Sequence, residues 1–113
     1  MSGEIEPVEL RRLLEDGEPV RIVDVRSAAA YEAGHIPESE NVPFETLTRS
    51  IETFAGETRI VTVCPHGEAS VQAARLIESF EGVPAQAQVD SLAGGLEAWD
   101  GPIETHQSVD TSE

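Results

Sequence analysis

A lone cysteine lies where an apolar segment of the sequence meets a short loop that contains glycine. The loop reads Cys64-Pro65-His66-Gly67-Glu68-Ala69-Ser70, and a strong helical pattern follows it. If the successive N–H groups of such a loop point inward, they form a concavity that binds anions, and the positive end of the following helix adds to it. A cysteine in this position ionises readily, and its thiolate is a nucleophile. The same placement also fits a buried structural cysteine, so position alone leaves both interpretations open.

The residues that follow Cys64 limit the reactions in which its thiolate could take part. Phosphatases with a Cys-x5-Arg loop hold phosphate with an arginine, but here Ser70 occupies that position and the next arginine is Arg75. Phosphatase and arsenate chemistry are therefore disfavoured. Because the chain contains one cysteine, an internal resolving disulfide and a Cys-rich zinc site are excluded. The remaining option is a thiolate that accepts a small group and passes it to an external nucleophile.

Four other polar residues need an interpretation. Asp24 and Arg26 lie at the carboxyl end of another apolar segment. They could line a site, but bracing of loops by hydrogen bonds and charge pairing is the simpler explanation. His66 could favour the Cys64 thiolate if it is protonated, although adjacent loop residues often point apart. His35 lies in a turn, where packing explains it without catalysis. A metal site built from Cys64 and the two histidines lacks recognisable spacing, so no metal is predicted.

The elements that position these residues alternate between strands and helices. Residues 20–25 and 59–64 are β-branched and nearly uninterrupted, as buried parallel strands are, and residues 41–42 and 87–89 are weaker candidates. Helical patterns cover residues 7–16, 28–33, 44–55 and 70–80, and a last short helix carries Trp99. This alternation predicts an α/β domain with a mainly parallel sheet flanked by helices on both faces. Ligands of such sheets bind outside the carboxyl ends of the strands, which is where Cys64 is expected.

Length and composition set the organisation of the chain. Its 113 residues fit one domain, which we place at residues 1–103, and residues 104–113 are polar enough to form a disordered tail. No run of about 18 apolar residues occurs, and the first residues lack a signal-peptide pattern. We therefore expect a cytoplasmic protein without a membrane partner.

The charge of the chain is strongly negative. Twenty-two acidic residues stand against seven basic ones, all arginine, which gives a formal charge of -15. This balance disfavours nucleic acid as a partner. It fits a cytoplasm rich in salt, where charge repulsion is screened, and it also fits an ordinary acidic protein that its charge keeps soluble.

Four ordered motifs resemble one family. They are Asp24-Val25-Arg26, Tyr31-Glu32-Ala33-Gly34-His35-Ile36-Pro37 continuing to Asn41-Val42-Pro43, the Cys64 loop, and Leu92-Ala93-Gly94-Gly95-Leu96-Glu97-Ala98-Trp99. Over residues 5–103 the chain is similar to the single-domain rhodaneses, which are thiosulfate sulfurtransferases. Each motif alone would be weak, but their order makes the resemblance specific.

The resemblance implies a rhodanese-like fold and a role for each loop residue. Cys64 would carry a persulfide, taking sulfur from thiosulfate and giving it to cyanide or another thiophilic acceptor. No cofactor is implied. The backbone N–H groups that would hold the anionic sulfur belong to His66, Gly67, Glu68, Ala69 and Ser70. Asp24 and Arg26 would support the site.

One departure from the family pattern affects the expected donor. Many members carry Cys-x-x-Gly-x-Arg-Ser, whereas Ala69 replaces the arginine here and the acidic Glu68 precedes it. An anionic donor thus loses a partner, so thiosulfate turnover is expected to be weak. Two alternatives follow: a persulfide relay protein for tRNA thiolation or sulfur-cofactor biosynthesis, which would need a partner protein, and a non-catalytic interaction module. The sequence leaves the oligomeric state open.

Overall fold

The computed structural model describes residues 3–105 and contains one parallel sheet with helices on both sides. In chain order the strands and α-helices are β1 Gly3–Ile5, α1 Pro7–Glu15, β2 Arg21–Asp24, α2 Ala28–Ala33, β3 Glu40–Asn41, β4 Arg59–Val63, α3 Ala69–Ser79 and β5 Gln88–Leu92. Three short 3₁₀ turns cover Phe44–Thr46, Ile51–Phe54 and Leu96–Ala98. The strand order is β1-β5-β4-β2-β3, and all neighbouring strands pair in parallel. The predicted α/β class is confirmed.

The central strand β4 is buried on both faces, which explains its continuous apolar run. Ile60 points into a core cluster that includes residues of α3, while Val61 points into a second cluster that contains Leu10 of α1. Successive side chains of a strand alternate between faces. The helices therefore cover opposite faces of the sheet, as predicted.

The ends of the first two helices follow the signals in the sequence. Pro7 opens α1, and a reciprocal capping box joins Glu6 and Glu9. Ser27 caps α2, where its hydroxyl oxygen accepts the Ala30 N–H at 3.2 Å. These caps satisfy N–H groups that the first turn of a helix leaves unpaired.

The predicted helix over residues 44–55 is wrong in detail. The segment forms two separate 3₁₀ turns instead, and Phe44 at its start is 41% exposed. Hydroxyl side chains compete with the helical ladder here: Thr46 donates to the Pro43 carbonyl at 2.9 Å, and Thr53 donates to the Ser50 carbonyl at 2.7 Å. The apolar pattern still identified the side chains that enter the core, since Leu47 and Phe54 are fully buried.

Two strands differ from expectation. The edge strand β1 was not predicted, because only Ile5 among its three residues is buried and the apolar signal is correspondingly short. β5 extends through Leu92 rather than ending at Val89. Asp90 and Ser91 interrupt its apolar run, although both side chains are buried. Polar residues inside a buried strand shorten the apolar run from which the strand is predicted.

The chain beyond the last 3₁₀ turn packs back onto the domain. Glu104 forms an antiparallel bridge with His35, with N–H to carbonyl distances of 2.8 and 2.9 Å. This pairing lies one residue past the predicted domain boundary at Ile103. Residues 106–113 of the predicted tail lie outside the described residues.

No helix in the described part of the chain is long and apolar enough to cross a membrane. The cytoplasmic location stays a prediction.

Candidate active site

Cys64 lies immediately after β4, at the carboxyl edge of the sheet. The last residue of β4, Val63, pairs in register with Asp24 at the end of β2, so both segments open onto the same edge. The Cys64 residue is 1% exposed. The Gly67 N–H donates to its Sγ at 2.9 Å, and the Ser70 hydroxyl lies 3.2 Å from the same sulfur. The loop therefore wraps around the sulfur atom.

The local backbone explains how these donors converge. Gly67 has a φ of 90°, a left-handed conformation that glycine adopts without strain. The helix α3 begins at Ala69, which places Ser70 in its first turn with the side chain fully buried. Thr62 of β4 donates to the Ser70 carbonyl at 2.7 Å and so fixes this turn against the strand.

These contacts change the acidity of the thiol. Burial acts to raise the pKa of Cys64, but the Ser70 hydroxyl and the backbone N–H groups of Ser70, Gly67 and His66 favour the thiolate. The hydrogen bonds outweigh the burial, so the pKa of Cys64 is lowered from its ordinary value. The predicted tendency of this thiol to ionise thus has a physical basis in four named groups.

The side chains of His66 and Glu68, in the middle of the loop, face solvent. The imidazole of His66 pairs with Glu97, with Nδ1 and Oε2 3.3 Å apart, and both side chains are more than half exposed. Its backbone N–H, rather than its ring, acts on Cys64. Glu68 and Ala69 are also exposed. The rim of the loop therefore presents two carboxylates, those of Glu68 and Glu97.

Asp24 and Arg26 form a buried ion pair beside the loop. The Asp24 carboxylate accepts from the Arg26 guanidinium at 2.7 Å, and the side chains are 1% and 11% exposed. Arg26 also donates to the Gly34 carbonyl at 2.6 Å. The Asn41 amide donates to the carbonyls of both Asp24 and Arg26, at 3.0 and 2.9 Å. These contacts join three connections of the chain, which is the geometry expected of a brace.

His35 is placed by packing. Its ring stacks on Tyr31 with centroids 3.8 Å apart, and its Nδ1 lies 2.7 Å from the Tyr31 carbonyl. Trp99 is likewise buried, and its indole N–H donates to the Pro102 carbonyl at 3.0 Å. Both residues have the structural surroundings that the sequence predicted.

The contact between the Gly94-Gly95 turn and the Cys64 loop was not predicted from the sequence. The turn packs against the loop backbone, and the Leu96 N–H donates to the Cys64 carbonyl at 2.7 Å. Two adjacent glycines favour a turn, but they do not identify the segment that the turn contacts. Its approach to a loop about 30 residues earlier follows from the parallel pairing of β4 and β5.

The structure also has a cavity away from Cys64. A cavity of about 340 Å³ opens at the amino ends of β2 and β4, lined by Arg21, Glu57 and Arg59 among others. It lies at the edge of the sheet opposite Cys64, and Arg21 is already paired with Glu40 and Glu57. Within residues 3–105, no group of three or more His, Cys, Asp or Glu side chains is placed to hold a metal ion.

The comparisons with known proteins agree on one family of relatives. Residues 6–101 match the rhodanese-like domain. The chain is 35% identical over 87 residues to the thiosulfate sulfurtransferase GlpE of Pseudoalteromonas translucida, which covers 75% of this chain and 77% of that protein. It is 30% identical over 105 residues to the adenylyltransferase and sulfurtransferase MOCS3-2 of Zea mays. That match covers 87% of this chain but 21% of the maize protein, so the chain spans about a fifth of that relative's length.

The fold agrees with these relatives. A rhodanese-like domain protein from Staphylococcus aureus superposes with a TM-score of 0.76 at 27% identity, over 93% of this chain and 99% of that one. The chain belongs to the rhodanese-like domain family. Both of the curated relatives described above are named as sulfurtransferases.

Proposed function

We propose that this protein is a sulfurtransferase that carries sulfane sulfur as a persulfide on Cys64. The observation that carries the proposal is the pair of groups at Sγ. The Gly67 N–H donates to the sulfur at 2.9 Å, and the Ser70 hydroxyl oxygen accepts from the thiol at 3.2 Å and can donate in turn once the thiol has ionised. They favour the thiolate, which is the form of cysteine that attacks sulfur.

The first step loads the enzyme. The Cys64 thiolate attacks the outer sulfur of the donor, a new S–S bond forms to Sγ, and the S–S bond of the donor breaks. The electron pair of the broken bond leaves with the donor, as sulfite from thiosulfate or as a cysteine thiolate from a persulfide-bearing protein. The negative charge then resides on the outer sulfur of the Cys64 persulfide. The N–H groups of the loop are available to stabilise that charge.

The second step transfers the outer sulfur from the Cys64 persulfide to an acceptor. A thiophilic acceptor such as cyanide attacks the outer sulfur, the bond from that sulfur to Sγ breaks, and its electron pair returns to Cys64. Cyanide becomes thiocyanate, and no external oxidant or reductant is required. The hydrogen bonds of Ser70 and Gly67 stabilise the departing thiolate, so the same groups assist both steps.

The rim of the loop favours a protein donor over free thiosulfate. The arginine of the family pattern is Ala69 in this chain, and the carboxylates of Glu68 and Glu97 are exposed nearby. A dianion gains no cationic partner there and meets negative charge. We therefore keep a relay role as the second candidate, with a persulfide-bearing protein as donor. The maize relative, named as both adenylyltransferase and sulfurtransferase, supports a link to sulfur relay in general.

A sulfur-transfer assay tests the proposal. With thiosulfate and cyanide, the wild-type protein should form thiocyanate, and a folded Cys64→Ser variant should form none. Activity with a persulfide-bearing donor protein but not with thiosulfate would select the relay. Failure with both donors would contradict catalysis and leave the interaction module.

A further inference from the structure

The backbone of Gly95 touches the Cys64 loop so closely that no side chain fits between them. Gly95 is buried with a φ of 68°, in the left-handed region. A Cβ atom on Gly95 would lie 2.5 Å from the carbonyl oxygens of Cys64 and Pro65 and 2.6 Å from the Gly67 nitrogen. All three are backbone atoms of the loop, so none of them can swing aside as a side chain would.

Hydrogen bonds tie the same two segments together. The Leu96 N–H donates to the Cys64 carbonyl at 2.7 Å, and the Glu97 N–H donates to the Pro65 carbonyl at 3.1 Å. The first two carbonyl groups of the loop are therefore held from one side by the segment that follows β5. Short backbone contacts of this kind transmit small displacements because interiors are closely packed.

The loop residue that contacts Gly95 also binds the reactive sulfur. The Gly67 N–H, which donates to Sγ at 2.9 Å, belongs to the residue whose nitrogen faces Gly95. A Cβ added to Gly67 would in turn lie 3.2 and 3.3 Å from the nitrogens of Gly94 and Gly95. A shift of the turn would therefore move the donor that stabilises the thiolate.

We propose that Gly95 is a positioning residue for Cys64: its left-handed, side-chain-free backbone sets the place of the loop N–H groups that hold the sulfur. The consequence for sulfur transfer rests on the proposed function. The consequence for ionisation of the thiol does not, because it follows from the geometry alone.

Glycine-to-alanine variants separate this role from general strain. Gly95→Ala adds a methyl group against the loop. Gly17→Ala is the matched control, because Gly17 has a φ of 70° with nothing within 4 Å of an added Cβ. Gly56→Ala is a second control, since its φ is 81° and an added Cβ there also meets nothing within 4 Å.

The readout is the thiolate absorbance of the single cysteine, titrated with pH and corrected with Cys64→Ser. Gly95→Ala should raise the pKa of Cys64 above that of the wild type and lower the thiolate fraction on the acidic side by at least about threefold. The Gly17→Ala and Gly56→Ala titrations should coincide with the wild type. A folded Gly95→Ala protein with an unchanged titration would overturn the proposal.

A second pair of variants applies if Gly95→Ala does not fold. Leu96→Pro removes the N–H that holds the Cys64 carbonyl, and the extended ψ of Gly95, -165°, accepts a following proline. Leu96→Ala shortens the same side chain but keeps that N–H. The proposal requires a higher thiol pKa in Leu96→Pro than in Leu96→Ala, and equal values would refute it. If the wild type transfers no sulfur while these shifts occur, the proposed function fails and the positioning role stands.

Discussion

At the scale of single residues, Ser70 has the largest predicted effect on the nucleophile. Its hydroxyl lies 3.2 Å from the Cys64 sulfur, and its buried position excludes water as a substitute donor. Ser70→Ala should raise the pKa of Cys64 and slow persulfide formation near neutral pH by about tenfold, the size expected for one hydrogen bond to a charged group. Stopped-flow loading with a sulfur donor measures this rate. Ser79→Ala, on the exposed end of α3, should load at the wild-type rate, and equal slowing of both variants would contradict the role of Ser70.

The lowered pKa of Cys64 also makes a prediction about stability. A thiol whose pKa is depressed by folding adds stability above its unfolded pKa and loses it as pH falls through the folded pKa. The free energy of unfolding of the wild type relative to Cys64→Ser should therefore increase as pH rises from the folded value toward about 8.5, the ordinary value for a free thiol. Urea unfolding at several pH values tests this. A difference that is flat or decreases with pH would contradict the hydrogen bonds assigned to the thiolate.

The residue at position 69 should control the choice of donor. Ala69→Arg restores the guanidinium of the family pattern beside the loop, where it can pair with an anionic donor. We expect kcat/KM for thiosulfate to increase by about tenfold, equivalent to about 1.4 kcal/mol of transition-state binding. Ala69→Gln adds a side chain without charge and should change little. Similar gains in both variants would show that charge is not the cause.

At the scale of elements, the buried pair of Asp24 and Arg26 joins the connections that surround the site. Asp24→Ala leaves the guanidinium of Arg26 buried without its partner, so we expect a loss of about 3–5 kcal/mol in the free energy of unfolding. Glu15→Ala breaks a pair with Arg11 whose side chains are 45% and 63% exposed, and it should cost no more than about 0.5 kcal/mol. Chemical denaturation measures both. A loss below about 1 kcal/mol for Asp24→Ala would contradict the brace.

The helices and strands show which parts of the fold can be predicted from the sequence. The strands β2 and β4 and the helices α1, α2 and α3 were predicted because continuous apolar runs, caps and glycines mark them. The helix expected at residues 44–55 was not found, since the hydroxyls of Thr46 and Thr53 bond to nearby carbonyls. Local competition between side chain and backbone is invisible to apolar periodicity.

The candidate site likewise has some features that the sequence predicts and others that it does not. The position of the Cys64 loop at the carboxyl edge of the sheet was predictable from the strand–loop–helix pattern. The hydroxyl of Ser70 near Sγ depends on where α3 begins, and the contact of Gly95 depends on the pairing of β4 with β5. Contacts between segments distant in sequence need the folded register, which a single sequence does not contain.

At the scale of the whole molecule, the charge of -15 with no lysine predicts a response to salt. Repulsion among the acidic residues is screened over about 3 Å in 1 M salt, compared with about 10 Å in 0.1 M. The free energy of unfolding should therefore rise by on the order of 1 kcal/mol or more between dilute buffer and molar KCl. Urea unfolding at increasing KCl measures it. Equal stability in both conditions would contradict adaptation to a salt-rich cytoplasm.

The central claim is that Cys64 carries sulfur, and the mass of the intact chain tests it most directly. The purified protein is incubated with thiosulfate, or with a persulfide-bearing donor protein, in high KCl and weighed beside Cys64→Ser treated in the same way. We predict the added mass of one sulfur atom on the wild type and none on the variant, with the adduct removed by cyanide. A folded wild-type protein that gains no sulfur from either donor, or a variant that gains as much, would contradict the account.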